Sequence, residues 1–302
     1  MSINRLMNFL VTGGEGFIGR YLKNELENEG HSVKTLDING TPDFRVSILN
    51  YPEVLKSLRG VDGLFHLAAT TSPPQFEDDL VAGFNTNVNG TLNVLKAAAE
   101  NGVKRAVIAS SSAIYGDLRI PGREDMSING HRNMYSTTKL IDEYLAKYFT
   151  LRNELEVVCL RYFNAYGIGE NTKGMYSSPI SKFLESVSRK ERPVIFGDGT
   201  QSRDFVYVKD IASATSRAMQ AGTAGEIYNV GTGVSVTFNG IMDLIKEVLG
   251  KEIMPEYVKN PFKNYQIFTQ ADVTKIRKAL SWKAKYSLRE GIREIVIHMN
   301  LI

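Results

Sequence analysis

The chain has 302 residues, about twice the ~150 residues of a common domain, which predicts one large α/β unit or a core with a smaller lobe. Hydrophobic residues make up 43% of the chain and charged residues 23%, a balance that excludes a largely disordered protein. The 36 Lys and Arg residues against 33 Asp and Glu give a net charge of +3, which is too small to indicate a nucleic acid or a membrane surface as the partner.

Cysteine and histidine are too sparse for covalent or metal cross-links. The single cysteine, Cys159, lies in an apolar run, which excludes an intramolecular disulfide and fits a reducing compartment. The four histidines are widely spaced, so no metal site is predicted. The first residues lead from a short apolar run into a glycine turn, without a cleavage pattern or a membrane-length segment, and we predict a cytoplasmic protein.

The first half of the chain alternates short apolar runs with amphipathic segments. Buried strands are predicted at Asn8–Val11, Ser32–Leu36, Leu64–Leu67, Arg105–Ala109 and Glu156–Leu160, and helices at Phe17–Glu29, Pro52–Leu58, Phe84–Glu100 and Ser136–Leu151.

Apolar strands separated by amphipathic helices predict a Rossmann-type, doubly wound parallel sheet that is covered on both faces. The alternation weakens after about residue 167. We therefore predict a Rossmann-type domain at 1–166 and a smaller, mainly substrate-binding lobe at 167–302, with some segments of the lobe returning to the sheet.

A glycine-rich turn follows the first predicted strand. In TGGEGFIG, Gly13 permits a tight turn, Gly16 permits backbone amides to approach a pyrophosphate, and Gly19 permits close packing of helix on strand. The spacing alone is weakly specific, but its place between a strand and a helix indicates a dinucleotide site to which Phe17 and Ile18 also belong.

An acidic residue ends the second predicted strand. Asp37 lies 18 residues after Gly19, where a carboxylate can accept hydrogen bonds from both ribose hydroxyls of a dinucleotide. A carboxylate there repels a 2′-phosphate, and no arginine follows within the next three residues. The sequence therefore favours NAD over NADP.

A tyrosine and a lysine share one face of the fourth predicted helix. Tyr135 and Lys139 are four residues apart in YSTTK, so the ammonium lies near the phenol. A free phenol ionises near pH ~10, and a neighbouring cation lowers that value enough for the phenol to act as a base. Tyr135 would take the proton from a hydroxyl of the substrate, and Ser111 or Ser112, at the end of the preceding strand, could hydrogen-bond that hydroxyl.

Eight motifs in order give the chain a specific resemblance. The chain resembles the extended short-chain dehydrogenase/reductase family, and within it the nucleotide-sugar epimerases of the UDP-glucose 4-epimerase type. The motifs that carry the resemblance are TGGEGFIG, Asp37, HLAA (66–69), NVNGTLNVL (87–95), SSSAIYG (110–116), YSTTK (135–139), LRYFNAYG (160–167) and GDGTQSRDFVYVKDIA (197–212).

The resemblance implies roles at the cofactor and at the reacting sugar. It makes Ser111, Tyr135 and Lys139 the catalytic residues, and Asn87 a residue that holds the central helix and a water near the lysine. It further implies that NAD is contacted by Ser47, Ile48, Leu67, Ala68, Ala69, Ser110 and Tyr162, with Tyr162 at the nicotinamide end.

The resemblance also implies how a nucleotide-diphosphate sugar is held. Asn164 and Arg203 match family positions that bind the diphosphate, while Val194 and Phe196 match the wall beside the nucleotide base. Ser112 would contact the sugar. Core packing is an equally good interpretation of Phe196.

Three positions depart from the family pattern. Ser47 stands where an Asp commonly binds adenine, so adenine recognition would rest on the Ile48 backbone. A second phosphate-binding arginine is missing near the C-terminus, where Lys259 or Lys263 could substitute. Thr269 stands where a bulky Tyr excludes N-acetylated sugars in some relatives, so we expect such sugars to fit here.

The function that follows from the resemblance is reversible epimerisation at C4 through a 4-keto sugar. The acid and base of a dehydratase are missing, because Ser112-Ala113 occupies their place. A nucleotide-sugar reductase, an ADP-heptose 6-epimerase and a non-catalytic NAD sensor remain as alternatives. Family members pair the two long helices at 84–100 and 136–151, and we predict a homodimer.

Overall fold

The computed structural model describes residues 6–71, 76, 79–116, 118–128, 133–152, 154–170, 177–261 and 266–302. Its secondary structure begins with the predicted alternation of strands and helices. The first-half elements are β1 Asn8–Thr12, α1 Phe17–Asn28, β2 Ser32–Asp37, β3 Phe44–Arg45, α2 Tyr51–Ser57, β4 Gly63–His66, α3 Leu80–Phe84, a π-helical segment Asn85–Asn89, α4 Gly90–Glu100, β5 Arg105–Ser111, a 3₁₀ turn Ser112–Tyr115, α5 Met134–Leu151 and β6 Glu156–Tyr162.

The second half contains shorter strands and five further helices among the described residues. These elements are β7 Asn164–Tyr166, α6 Pro179–Ser188, β8 Val194–Phe196, β9 Ser202–Arg203, β10 Phe205–Tyr207, α7 Val208–Ala221, β11 Ile227–Val230, β12 Val236–Thr237, α8 Phe238–Leu249, β13 Glu256–Val258, α9 Thr274–Leu280 and α10 Leu288–His298.

Seven parallel strands form one sheet in the order β3-β2-β1-β4-β5-β6-β11. The five predicted strands and four predicted helices are all present, with ends displaced by at most two residues except where the π-helical segment occupies the start of the predicted 84–100 helix. The sheet order reverses between β1 and β4, and parallel α/β sheets bind ligands at such a switch point. The predicted Rossmann-type fold is confirmed.

Two hydrophobic clusters cover the faces of the sheet, and a third lies in the C-terminal part of the chain. One face packs residues such as Val11, Phe65 and Val158, whereas the other packs Leu10, Leu64 and Val157. Neighbouring residues on each strand thus point to opposite faces, as the near-continuous apolar runs require. The third cluster joins α6, α8 and α10, and includes Ile180, Ile241 and Ile295 among other residues.

Residues 208–230 return from the second half of the chain to the sheet. Helix α7 packs on α1, and β11 pairs with β6 from Ile227↔Cys159 to Val230↔Tyr162. Strand β11 has only four residues and lies between glycine-containing turns, so its local pattern did not predict a sheet strand. Among the described residues, no helix is long and apolar enough to cross a membrane.

Candidate active site

The glycine turn lies at the switch point of the sheet. Gly13 has φ +69, and a Cβ there would lie 2.7 Å from the backbone nitrogen of Ala68, in the loop that follows β4. A Cβ on Gly19 would lie 2.2 Å from the carbonyl oxygen of Gly13. Only glycine therefore lets the turn pass between the β4 loop and the first turn of α1.

Helix α1 begins at this turn without a side-chain cap. Its N-cap is the exposed Gly16, which has no side chain with which to cap the helix. The backbone N–H groups and the helix dipole at an N-terminus favour an anion. The turn therefore fits the pyrophosphate of a dinucleotide.

Asp37 is held at the carboxyl end of β2. Its Oδ2 accepts a hydrogen bond from the Glu15 amide at 3.0 Å, and its Oδ1 accepts one from the Asn39 amide at 3.0 Å. Arg45 on the neighbouring strand is paired with Asp37 in the sheet register, but its guanidinium donates to the carbonyls of Ile38 and Gly40. The carboxylate is thus fixed beside the glycine turn by two backbone amides.

The two residues expected near adenine differ in exposure. Ser47 is exposed, and its hydroxyl accepts a hydrogen bond from the Leu49 amide at 3.3 Å. Ile48 is buried against Gly90, and its carbonyl accepts from the Asn93 side chain at 3.1 Å. The Ile48 carbonyl already accepts a hydrogen bond within the protein, so the predicted contact with adenine would be made by the Ile48 amide.

The loop after β4 lies directly against the glycine turn. The Leu67 amide donates to the Thr12 carbonyl at 3.0 Å, and the Ala68 amide donates to the Thr12 hydroxyl at 3.4 Å. Leu67, Ala68 and Ala69 are all partly exposed. The three predicted residues therefore lie along the crevice between β1 and β4.

A cavity of about 300 Å³ opens beyond the carboxyl ends of β5 and β6. The structure brings five predicted site residues to its wall: Ser111, Ser112, Tyr135, Tyr162 and Asn164. The described wall also contains Thr71, Ala113, Asn133, Phe163 and Gln266, which the sequence analysis did not select.

The consecutive serines at the end of β5 point to different partners. The Ser110 hydroxyl is buried and donates to Glu143 Oε1 at 2.6 Å, whereas Ser111 lines the cavity and its hydroxyl accepts from the Ala113 amide at 3.1 Å. Strand alternation sends neighbouring side chains to opposite faces, so the Ser110 side chain is committed to the interior.

Tyr162 lines the same cavity but is anchored elsewhere. Its hydroxyl is hydrogen-bonded to the Thr215 hydroxyl at 2.8 Å on α7. Burial raises the pKa of Tyr162 above its ordinary value. Its ring, and not its hydroxyl, is therefore the part that faces a ligand.

Tyr135 and Lys139 lie on the first turns of α5, one turn apart. Tyr135 is partly exposed to the cavity, while Lys139 is buried beneath it. The Lys139 ammonium donates to the Ala109 carbonyl at 3.0 Å and to Asp142 Oδ2 at 3.1 Å. The Tyr135 phenol is one of the groups that raise the pKa of Lys139, which places the two groups in electrostatic contact.

Asn87 supports this helix from the π-helical segment. Its side-chain amide donates to the Thr70 carbonyl at 3.0 Å and to the Thr138 hydroxyl at 3.0 Å, and its oxygen accepts from the Thr70 amide at 2.8 Å. A π-turn inserts one residue into a helix and often occurs at functional sites. Asn87 thereby ties the β4 loop to α5, in agreement with its expected role of holding the helix.

The residues expected at the diphosphate form one hydrogen-bonded group. The Asn164 side chain donates to the Thr269 hydroxyl at 2.8 Å, which also accepts from the Asp204 amide. The buried Arg203 guanidinium donates to the Ser202 and Gln266 carbonyls and lies 5.8 Å from the Phe238 ring centroid. Arg203 thus contacts the cavity wall indirectly, through its hydrogen bond to Gln266, which lines the cavity.

Val194 and Phe196 lie on β8, outside the described wall of the cavity. Val194 is exposed, Phe196 is partly buried, and β8 pairs with β13 from Val194↔Glu256 to Phe196↔Val258. Lys259 directly follows that strand and is exposed, whereas Lys263 lies outside the described residues.

Two further residues of the site could have been found from sequence signals. Asn133 is the N-cap of α5, its side chain accepting from the Ser136 amide, and Asn before an amphipathic helix is a usual start signal. Asp142 lies three residues after Lys139, a spacing that lets the two side chains meet. No local signal marks Gln266, which reaches the cavity from a distant part of the chain.

The glycine turn, the N-terminus of α1 and the fixed Asp37 define a dinucleotide-binding α/β protein with a reaction site at the carboxyl edge of its sheet. Among the described residues, no cluster of three or more histidine, cysteine or carboxylate side chains could hold a metal. The family model of the NAD dependent epimerase/dehydratase family matches residues 9–231. The chain belongs to this family, and its cofactor is NAD.

Several characterised relatives span nearly the whole chain. A UDP-glucuronate 4-epimerase from Thermodesulfobacterium geofontis is 30% identical over 95% of this chain and 94% of its own length. The UDP-glucose 4-epimerase of Thermotoga maritima, solved with UDP-glucose, is 31% identical with a TM-score of 0.91 and covers 97% of this chain and 99% of its own.

Other relatives carry NAD or a different activity. The UDP-glucose 4-epimerase of Thermus thermophilus, solved with NAD, is 30% identical over 97% of this chain and 99% of its own, with a TM-score of 0.88. UDP-glucuronic acid decarboxylase 1 of Arabidopsis thaliana is 31% identical over 96% of this chain and 69% of its own length. The chain is thus an enzyme of the nucleotide-sugar epimerase and decarboxylase group.

Proposed function

We propose that the protein is an NAD-dependent 4-epimerase of a UDP-sugar of the UDP-glucose/UDP-galactose type. The observation that carries the proposal is the cavity wall, where Ser111 and Tyr135 meet above the buried Lys139 at the carboxyl edge of the sheet. The glycine turn and Asp37 would hold the cofactor so that its nicotinamide reaches this cavity.

The residues of the cavity supply the proton chemistry. Tyr135 takes the proton of the sugar 4-hydroxyl, and the Ser111 hydroxyl hydrogen-bonds the same oxygen. NAD held at the glycine turn and Asp37 would supply the acceptor and the donor of the C4 hydride. Asn164 and Arg203 hold the diphosphate while the 4-keto sugar turns over, so that the hydride returns to the opposite face.

The chemistry of the wall favours a neutral sugar over a uronic acid. The described wall residues are hydroxyl, amide, aromatic and alanine side chains, which suit the hydroxyls of a hexose. Recognition of a sugar carboxylate normally uses a positively charged side chain. Decarboxylation of a UDP-uronate is the second candidate, because relatives with that activity match most of the chain.

A panel of nucleotide sugars separates these candidates. The purified protein is incubated with UDP-glucose, UDP-galactose, UDP-N-acetylglucosamine and UDP-glucuronate, and the products are separated by chromatography. We expect C4 epimers of the neutral sugars, and a loss of about 10²–10⁴ in kcat for Tyr135→Phe. Release of carbon dioxide and a UDP-pentose from UDP-glucuronate, with no epimer formed, would replace the proposal by the decarboxylase.

The place of Thr269 supports acceptance of N-acetylated sugars. Thr269 is small, and its hydroxyl is committed to Asn164 and the Asp204 amide. Thr269→Tyr is expected to reduce turnover of UDP-N-acetylglucosamine more than that of UDP-glucose. Thr269→Val, which removes the hydrogen bonds but keeps the volume, is the matched control and should affect both sugars equally.

The apolar outer face of α3, α4 and α5 supports a homodimer. Leu80, Val81, Leu92, Tyr148 and Leu151 are between 39% and 72% exposed, although they are large hydrophobic residues. Exposed apolar surface on neighbouring helices is typical of a protein interface. Light scattering at micromolar concentration should give twice the chain mass, and a Leu151→Glu substitution should shift that mass toward the monomer.

A further inference from the structure

Two adjacent acids on α5 have separate basic partners. Asp142 is 1% exposed and its Oδ2 lies 3.1 Å from Lys139 Nζ, whereas Glu143 is 5% exposed and holds Arg161 through two hydrogen bonds of 2.8 Å. The Glu143 charge is therefore neutralised by Arg161, and Asp142 is the carboxylate that faces the lysine.

The environment of the Lys139 ammonium is otherwise poor in compensating groups. The neighbouring groups that act on the pair are Tyr135 and Glu143 on α5, Thr91 on α4, His66 on β4 and Cys159 on β6. His66 is neutral, because burial and the Lys139 charge lower its pKa to about 3. Burial raises the pKa of the Cys159 thiol, so it carries no charge either.

A buried ammonium without a counter-charge readily loses its proton. Burial is the largest influence that lowers the pKa of Lys139, and Asp142 is the largest that raises it, with a net rise above the ordinary value. The ion pair thus decides the charge of the residue that faces Tyr135. Buried ion pairs contribute little to stability on average, so a role in function explains the Lys139–Asp142 pair better than a gain in stability does.

We propose that Asp142 is a positioning residue for the reaction, whose carboxylate keeps the Lys139 ammonium protonated and fixed beneath Tyr135. Asp142 faces the interior and does not line the described cavity wall, so it acts through Lys139. The inference rests on the proposed roles of Tyr135 and Lys139.

The test compares Asp142→Asn, Lys139→Met, the double variant and the wild type. The Asn side chain keeps the shape of the acid and loses its charge. For the sugar with the highest turnover in the panel, we expect Asp142→Asn to reduce kcat about tenfold near neutral pH with little change in KM, and to move the acidic limb of the kcat profile about one unit upward. Adding Asp142→Asn to Lys139→Met should change kcat no further.

Glu143→Gln is the matched control, because it removes a buried charge from the neighbouring position, where the hydrogen bonds go to Ser110 and Arg161. It should lower stability but leave the acidic limb in place. An unshifted limb in Asp142→Asn, or independent multiplication of the Asp142 and Lys139 effects in the double variant, would overturn the inference.

A spectroscopic titration separates this inference from the proposed reaction. The ultraviolet absorbance of tyrosinate is titrated in the wild type and in Tyr135→Phe, and the difference reports the ionisation of Tyr135. The same difference measured in the Asp142→Asn background should move to higher pH, even if no sugar of the panel is turned over. An unchanged difference titration contradicts the role of Asp142, whereas a shift without turnover contradicts only the proposed activity.

Discussion

His66 gives the protein a pH-dependent stability that can be calculated from the structure. The residue is fully enclosed, with its ring nitrogens 2.7 Å from the Thr12 hydroxyl and 3.0 Å from the Thr91 hydroxyl. Burial, reinforced by the Lys139 charge, lowers its pKa from 6.5 to about 3. The unfolded chain therefore binds a proton that the folded protein excludes.

The sign and size of the effect follow from proton linkage. Because the folded pKa is the lower one, the stabilisation is complete above about pH 6.5 and is lost as the pH falls toward about 3. Each pH unit within that window corresponds to about 1.4 kcal/mol. Between about pH 7 and pH 5, this single residue should remove about 2 kcal/mol of the free energy of unfolding.

Urea unfolding of the wild type and His66→Gln measures this contribution. The glutamine can keep a hydrogen bond but does not titrate, so the variant should lose about 2 kcal/mol less than the wild type over the same pH range. Unfolding should be followed by fluorescence and circular dichroism together, so that a separate transition of the lobe is detected. His298→Gln, at an exposed position, should retain the wild-type dependence. Equal pH dependence in His66→Gln and the wild type would refute the reasoning.

Two further substitutions, each with a control, test the packing around the site. Gly19→Ala places a methyl group 2.2 Å from the Gly13 carbonyl, and should lower the free energy of unfolding by about 1–3 kcal/mol and impair NAD binding. Its control, Gly16→Ala, has its nearest contact at 3.1 Å and should reduce NAD affinity with a smaller loss of stability. Thermal unfolding measures the stability, and NADH fluorescence measures the affinity. Glu143→Gln leaves the buried Arg161 guanidinium without its carboxylate partner, and chemical denaturation should show a loss of about 3–5 kcal/mol in the free energy of unfolding. Its control, Glu156→Gln, removes one partner of the more exposed pair with Arg105 and should lower that free energy by less than about 1 kcal/mol.

The local sequence was informative wherever structure repeats over neighbouring residues. Apolar runs and helical periodicity predicted five strands and four helices, and the parallel order followed from their alternation. The helix predicted from Phe84 is interrupted by a π-helical segment, which has no distinct periodicity in so short a stretch. Strands β3 and β11 were missed for a related reason, because two and four residues carry too little pattern to show which sheet they join.

The sequence alone determined the turn and the chemistry that the chain can offer. Gly13 and Gly19 are required by backbone geometry that no other residue accepts, and the spacing of Tyr135 and Lys139 on a helix places both on one face. Only the tertiary structure decided which groups surround them. The burial of His66 and the approach of Gln266 depend on contacts between elements that are distant in the chain, and a local pattern carries no information about such contacts.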